Sequence, residues 1–511
     1  MTAAPDWSEG YTTDLGYVAG YYRELNPSFQ AFTLATTGRE ANDLSARFVK
    51  IELGCGYALS LLCEAAVFPH AEFIGVDFNP VHVTWAKRLA AEAQLDNVRF
   101  YEASFADLDA LGLPAADFVA LHGVWSWVSQ ANRDVITRFL AARLNSGGVA
   151  LVSYNVLPGW SANQALREVM MRKFRSTAGS TAERIRQAIA FAGEVRAAGA
   201  AIFVKHPGLS AQLDELAKMP ERYLAHEYFN QDWHLFHQHE VAEALADARL
   251  SFLCSCKPAE NYDKHNFLPS QLPLFEAVAA PERETLKDIL LNRMFRYDLY
   301  GRGIEQAGPL ATLPALLRLP FVLSEQAAKL ADGNPVPPGS KIKLGREIYE
   351  PILARLRSGP ATGQELMLQP GARPLPPAEL IEGLAILTDL GVVLPALPPS
   401  GLAERHARAR RLNGAILHRV TKGEGLSYFV SPVSGFAHSV ANYFQFFVAA
   451  ESQGAEAVPF AWKVLKSLGR RMNRNGVPLE DPAENLRELE KRYAEYVQAL
   501  KPIWRPLALV G

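Results

Sequence analysis

The sequence predicts an α/β protein built on a mostly parallel sheet with helices on both faces. Three observations predict it. Between residues 48 and 154, short apolar runs alternate with segments of helical spacing, the pattern of strands joined by helical crossovers. Runs such as FVALHGV (118–124) are apolar almost throughout, as strands buried on both sides must be. The first apolar run ends in a turn carrying Gly54 and Gly56, with an acid, Glu52, before it and another, Asp77, 25 residues further on.

In chain order, FVKIEL (48–53) reads as a strand and YALSLLCEAAV (57–67) as a helix. EFIGVD (72–77) is the second strand. The following helix has Asn79 as its N-cap and Pro80 at its first position. NVRFYEA and ADFVALHGV are the third and fourth strands, RDVITRFLAARL is a helix stopped by NSGG, and VALVSYN is the fifth strand. Residues 161–221 read as wholly helical, an insertion expected to cap the site or to form a homodimer contact. The stretch 236–255 returns to helix and strand, and RMFRYDLYGR supplies a last strand. Proline and glycine cluster at 333–339 and 395–401, two joints. The helices and strand between them resemble a winged-helix module, and a helix-rich tail follows. The expected units are 1–160, 161–221, 222–305, 306–395 and 396–511, in keeping with a length too great for one core.

Composition limits the function. With 49% hydrophobic and 21% charged residues the chain is globular, and 52 basic against 54 acidic residues give no electrostatic case for nucleic acid or an anionic membrane. Four cysteines fit neither a disulfide framework nor paired CxxC ligands. The opening MTAAPDWSEG lacks a basic and an apolar leader region, and no run reaches membrane-spanning length, so the expected setting is cytoplasmic and bacterial.

In a parallel sheet, ligands sit beyond the carboxyl ends of the strands. Gly54 and Gly56 let the backbone turn sharply and a ligand approach closely. Asp77 is placed to accept the hydroxyls of a ribose. The run Gly54-Cys55-Gly56-Tyr57-Ala58-Leu59 lacks the third glycine of a dinucleotide site, and no phosphate-clamping lysine follows it. Glu52 suits a cationic ligand better than a pyrophosphate. S-adenosylmethionine has an ammonium, a sulfonium and a ribose, but no phosphate. Cys55 reads as a small spacer, with no activating base near it in sequence.

IELGCGYALSLL, FIGVDFNPVHVTWAKRLA, NVRFYEASFADL, LHGVWSWVS and NSGGVALVSYNVLPGW together resemble class I S-adenosylmethionine-dependent methyltransferases. With YTTDLGYVAGYYRELNP and YLAHEYFNQDW, they are most similar to the bacterial subgroup carrying a methyltransferase regulatory domain, which includes protein-lysine methyltransferases acting on outer-membrane proteins. The resemblance is strongest over residues 10–305 and implies a Rossmann-like core with a seven-stranded sheet. It places Glu52, Gly54 and Gly56 at the methionine end of the cofactor, Asp77 on the ribose and Phe78 beside the adenine. Ser104 and Phe105 fall at the adenine edge, where many class I enzymes have an aspartate, and Ala58 replaces a third glycine. His122 and Val124 would lie beside the sulfonium, and Tyr21 is counted with the cofactor residues.

Methyl transfer needs little beyond positioning. A lysine acceptor must first become neutral, against an ordinary pKa of about 10.4, which calls for an aromatic, low-dielectric pocket or a base. Trp125, Trp127, Tyr154 and Trp160, with Tyr11, Tyr17, Tyr21 and Tyr22, are the aromatic supply. His122 is a candidate proton acceptor and Asn155 a candidate orienter, with Trp125 and Tyr154 as acceptor wall. Trp127 and Tyr22 read as packing residues before site residues, and His122 equally as a core histidine. The stretch 225–240 holds His226, His234, His237 and His239 with Glu227, Asp232 and Glu240, but not the spacing of a metal site, so a structural role is expected. The basic run 405–420 reads as a solvated helix face. The expected activity is methylation of a protein lysine or another bulky acceptor. The alternatives are a small molecule or polysaccharide, or a non-catalytic cofactor-binding interaction protein.

Overall fold

The computed structural model describes residues 19–40, 42–308, 310–330, 333–337, 340–369 and 373–510. Tyr11, Tyr17 and the last two residues of the 333–339 joint lie outside them.

Seven strands form one sheet in the order β3-β2-β1-β4-β5-β7-β6. They are β1 (Val49–Leu53), β2 (Glu72–Asp77), β3 (Val98–Glu102), β4 (Ala116–Leu121), β5 (Leu144–Asn155), β6 (Ser251–Ser255) and β7 (Phe295–Gly301). Strands β1 to β5 are parallel, and β7 runs antiparallel between β5 and β6. The order reverses at β1, so the connections from β1 and β4 diverge and open a crevice beyond their carboxyl ends. Five helices frame this first half: α1 (Pro27–Thr36), α2 (Leu59–Val67), α3 (Pro80–Glu92), α4 (Gln130–Arg143) and α5 (Leu157–Ser176). Helix α3 starts as its sequence dictates: Pro80 needs no hydrogen-bond partner, and Asn79 Oδ1 accepts from the Val81 amide at 2.9 Å.

The stretch 161–221 is helical, in several pieces. After α5 come α6 (Thr181–Ala197), α7 (Ala201–Lys205), α8 (Gly208–Leu216) and α9 (Glu221–Tyr228), and Ser180 and Glu183 close a capping box on α6. These helices bury their own core, with Met170, Ile185, Leu213 and Leu224 at its centre. Trp160, expected near the mouth of the site, is buried in that core against Tyr228 and Trp233. After α10 (Gln238–Ala246), β6 and β7 complete the sheet.

The middle unit has a three-stranded sheet, β10-β8-β9, from Pro320–Leu323 (β8), Ala361–Thr362 (β9) and Val393–Pro395 (β10). Its core is filled from the helices Arg346–Arg357 and Pro377–Asp389. Strand β8 lies between the short helix Leu313–Arg318 and the helix Arg346–Arg357, and pairs antiparallel with both β9 and β10. The tail adds the helix Leu402–Thr421 and, among the described residues, five more helical segments between Asn442 and Trp504.

The basic run 405–420 is not a solvated face. Arg408 is 6% exposed and donates to Asp96 Oδ1 (2.8 Å), Asn97 Oδ1 and the Ala65 carbonyl, while Arg419 forks onto Glu92 with two contacts of 2.8 Å. Arg411 donates to the carbonyl of Ala93. The arginines clamp the tail onto α2 and α3, and the apolar residues between them join the core on that side of the sheet. Arg408→Ala removes three hydrogen bonds between the tail and the core and is expected to cost about 2 kcal/mol. The check is the chemical denaturation midpoint of the full chain, and an unchanged midpoint contradicts the clamp.

Candidate functional site: a carboxylate-lined nucleoside cleft

The turn after β1 is bound to the end of β2. The amides of Gly54 and Cys55 both donate to the Val76 carbonyl, at 2.8 and 3.1 Å. Gly54 (φ +69) has no substitute: a Cβ there would stand 2.6 Å from Val124 Cγ2. A Cβ on Gly56 (φ +53) would meet nothing within 4 Å, because the turn faces the open cleft. Ala58 caps α2 at φ 54, a conformation in which the missing third glycine would be less strained.

Two carboxylates flank this turn. Asp77 Oδ2 accepts from the Gly56 amide at 2.7 Å; Oδ1 accepts from Asn79 N at 2.9 Å and faces His82 Nδ1 at 3.3 Å. The backbone fixes the carboxylate, and Oδ2, with one amide partner, keeps a lone pair for a diol. Glu52 is 4% exposed, and its Oε2 has no hydrogen-bond partner. Burial pushes its pKa up to about 7, against the pull of Lys50, and Asp77 adds repulsion. A buried carboxylate oxygen without a partner is costly unless a cation completes it.

The cleft holds ≈ 230 Å³. Of the expected cofactor residues, Glu52, Gly54, Gly56, Asp77, Phe78, Ser104, Phe105, His122 and Val124 line it. Ser104 Oγ donates to Asp107 Oδ2 at 2.7 Å, so its hydroxyl proton is already engaged and it meets a ligand as an acceptor. Tyr21 does not line the cleft. It packs on Tyr428 at 5.9 Å, while Tyr22, one residue on, faces the cleft and sets its ring 4.0 Å from His122.

The expected acceptor-side residues need similar correction. Side chains alternate along β5, so Ser153 reaches His122 Nδ1 at 3.0 Å and Tyr154 points to the opposite face. There Tyr154 donates to Asp298 Oδ2 at 2.6 Å, within a buried network with Arg296. Asn155 is buried, its amide donating to Ser126 Oγ at 2.9 Å. Trp125 is 1% exposed and fills the core beside Tyr154. None of these three lines the cleft. His122 does, with Tyr297 stacked on it at 5.4 Å. Burial lowers its pKa to about 4, so it is neutral near pH 7 and has little basicity there.

Sequence reasoning passed over the far wall. His226 and Glu227, on α9, and Asp232 beyond it enter the cleft with Trp127 and Phe295. Burial raises the Glu227 pKa to about 7. For 225–240 the sequence leads to a structural role in preference to a metal site, not to a place in the cleft; among the described residues no group of three or more could hold a metal ion. Their distance from β1 in the sequence hid their place beside it. The insertion itself, 161–221, contributes nothing to the lining.

The site fits S-adenosylmethionine on its own geometry. An unpartnered buried carboxylate oxygen awaits a cation, a backbone-fixed carboxylate suits a ribose, and the glycine turn presents no side chain to a phosphate-free ligand. Two family descriptions match the chain: a methyltransferase domain over residues 45–197 and a "predicted methyltransferase regulatory domain" over 220–302. An uncharacterized protein of Synechocystis, sll1526, is 32% identical over 487 residues, covering 95% of this chain and 96% of that one. RP789 of Rickettsia prowazekii, also uncharacterized, is 29% identical over 291 residues, covering 56% of this chain and 51% of its own. Among solved structures, PKMT2 from Rickettsia typhi in complex with AdoHcy superposes with a TM-score of 0.66 at 19% identity, covering 97% of this chain and 100% of that one. The fold, its reversal point and the cleft at its strand ends are those of the class I S-adenosylmethionine-dependent methyltransferases, and this chain belongs to the group within them that carries a methyltransferase regulatory domain.

Proposed function

We propose that this methyltransferase acts on the side-chain amine of a protein lysine. The observation that carries this reading is the part of the cleft lining that the expected cofactor residues leave over. Glu227 stands there with Asp232 and the rings of Trp127, Phe295 and Tyr22, and among the described residues no lysine or arginine lines the cleft. Such a wall attracts a cation and holds it among aromatic faces. The sequence resemblance to protein-lysine methyltransferases supports the same acceptor, as does the name PKMT2 borne by the Rickettsia typhi neighbour.

When bound, S-adenosylmethionine supplies a methyl group on a positive sulfur that leaves as a neutral thioether. Glu52 would take its ammonium and Asp77 its ribose hydroxyls, while Phe78 and Phe105 would lie beside the adenine. Val124 and the neutral ring of His122, fixed by Ser153 and Tyr297, would shape the region of the sulfonium. The acceptor arrives as an ammonium, which has no lone pair to attack with. Glu227 accepts that proton on its carboxylate and later passes it to solvent, leaving a neutral amine in a desolvated aromatic site. Its raised pKa suits a base working near neutrality. The membrane question is narrower: among the described residues, no helix is long and apolar enough to cross a bilayer.

Radiolabelled cofactor, incubated with the protein and a bacterial protein extract, is expected to leave its label in ε-N-methyllysine after acid hydrolysis. Label confined to small-molecule or glycan fractions would replace the lysine reading with the alternative acceptors. Asp77→Ala is expected to weaken cofactor binding about 10- to 100-fold in calorimetry. Glu227→Gln should lower kcat by about 100-fold or more and leave the cofactor affinity within about twofold. Because the carboxylate form is the working base, the wild-type rate should rise with pH through about 7, and the variant should lose that limb.

A further inference from the structure

Behind the cofactor carboxylate lies a second layer of charge that methyl transfer itself does not require. Lys50 on β1 and Glu64 on α2 are both wholly buried. Lys50 Nζ donates to Glu64 Oε2 at 2.5 Å and to the Leu25 carbonyl at 2.7 Å, and it stands 4.0 Å from Glu52 Oε2. Glu52 Oε2 and Glu64 Oε1 both lack a hydrogen-bond partner. One ammonium therefore faces two carboxylates, with Asp77 beyond them as a third negative group. A buried cluster with an unbalanced negative charge is relieved by binding a proton or a cation.

We propose that Lys50, Glu52 and Glu64 form a proton-exchanging triad: the empty cleft keeps one proton on the Glu52–Glu64 pair, and the cofactor's ammonium expels it. Lys50 and Glu64 are then positioning residues, acting on the ligand through Glu52. The exchange balances, since one proton leaves to solvent as one positive group enters: the triad becomes one unit more negative, and the triad and ammonium together keep the charge of the empty site. The burial that raises Glu52 to about 7 and Glu64 to about 8 supports this. The other groups facing the triad are Asp77 with its partner His82, the thiols of Cys55 and Cys63, and the Tyr21 hydroxyl. Burial raises both thiols and the phenol, so these three stay neutral near pH 7. Glu227 titrates in the same range at the far wall and needs its own control.

Calorimetry on the full chain at pH 6.5, in two buffers of different ionisation enthalpy, counts the protons. S-adenosylhomocysteine keeps the ammonium without the sulfonium, and 5′-methylthioadenosine lacks the amino-acid end. S-adenosylhomocysteine is expected to release about 0.8 proton and methylthioadenosine none, and S-adenosylhomocysteine affinity should rise about fivefold from pH 6.0 to 7.0. Glu64→Gln, which keeps an acceptor for Lys50, leaves one acid against one lysine and should abolish the release. Glu227→Gln should retain it. Buffer-independent enthalpies in the wild type would overturn the proposal, as would equal release with methylthioadenosine. So would release that persists in Glu64→Gln or disappears in Glu227→Gln. The wild-type arms decide the matter should Glu64→Gln fail to fold, and none of these outcomes depends on the acceptor being lysine.

Discussion

A carboxylate withdrawn from water must find a compensating charge or take up a proton, and that constraint organises this molecule. Glu52 sits at the end of an apolar strand with one oxygen unpartnered, next to a turn that presents only backbone. Asp77 solves the same problem differently, by accepting two backbone amides. The first carboxylate is left incomplete and the second is pre-set. Together they define a ligand with a cationic end and a vicinal diol, joined at the spacing of two neighbouring parallel strands.

Other parts of the chain pack around this arrangement. The segment before α1 passes along the cleft: the Tyr22 amide donates to Ser60 Oγ at 2.9 Å and its ring covers His122. Beside it, Arg23 donates to the Thr388 carbonyl of the middle unit at 2.8 Å, and Lys257 pairs with Glu24. Burial lifts the Glu24 carboxyl, but Lys257 and Arg23 outweigh it and hold the group charged. One short segment thus touches the cleft, the sheet and the middle unit at once. The regulatory segment is also structural in the plainest sense, because it supplies two sheet strands and part of the cleft wall.

Most of the core was legible in the sequence because its signals are local. Strand and helix alternation, the Asn79–Pro80 start and the glycine turn each depend on neighbours a few residues apart. The Glu52–Asp77 side of the cleft followed, since the two acids sit at the ends of adjacent strands. The Glu227 side did not. Tyr154 and Tyr21 were each one residue out of phase with the face that meets the ligand, and an aromatic residue gives no sign of which face it takes. Glu227 lies too far along the chain for spacing to connect it with β1. The arginines of 405–420 looked solvent-facing because their acceptors, Asp96, Asn97 and Glu92, lie some 300 residues earlier.

The most direct test is an experimental structure with S-adenosylhomocysteine bound. The account predicts its ammonium within hydrogen-bond distance of Glu52 Oε2, its ribose hydroxyls on Asp77, and its sulfur facing the side of the cleft walled by Trp127, Phe295 and Glu227. A ligand seated elsewhere, or one that leaves Glu52 Oε2 unpartnered, would contradict it.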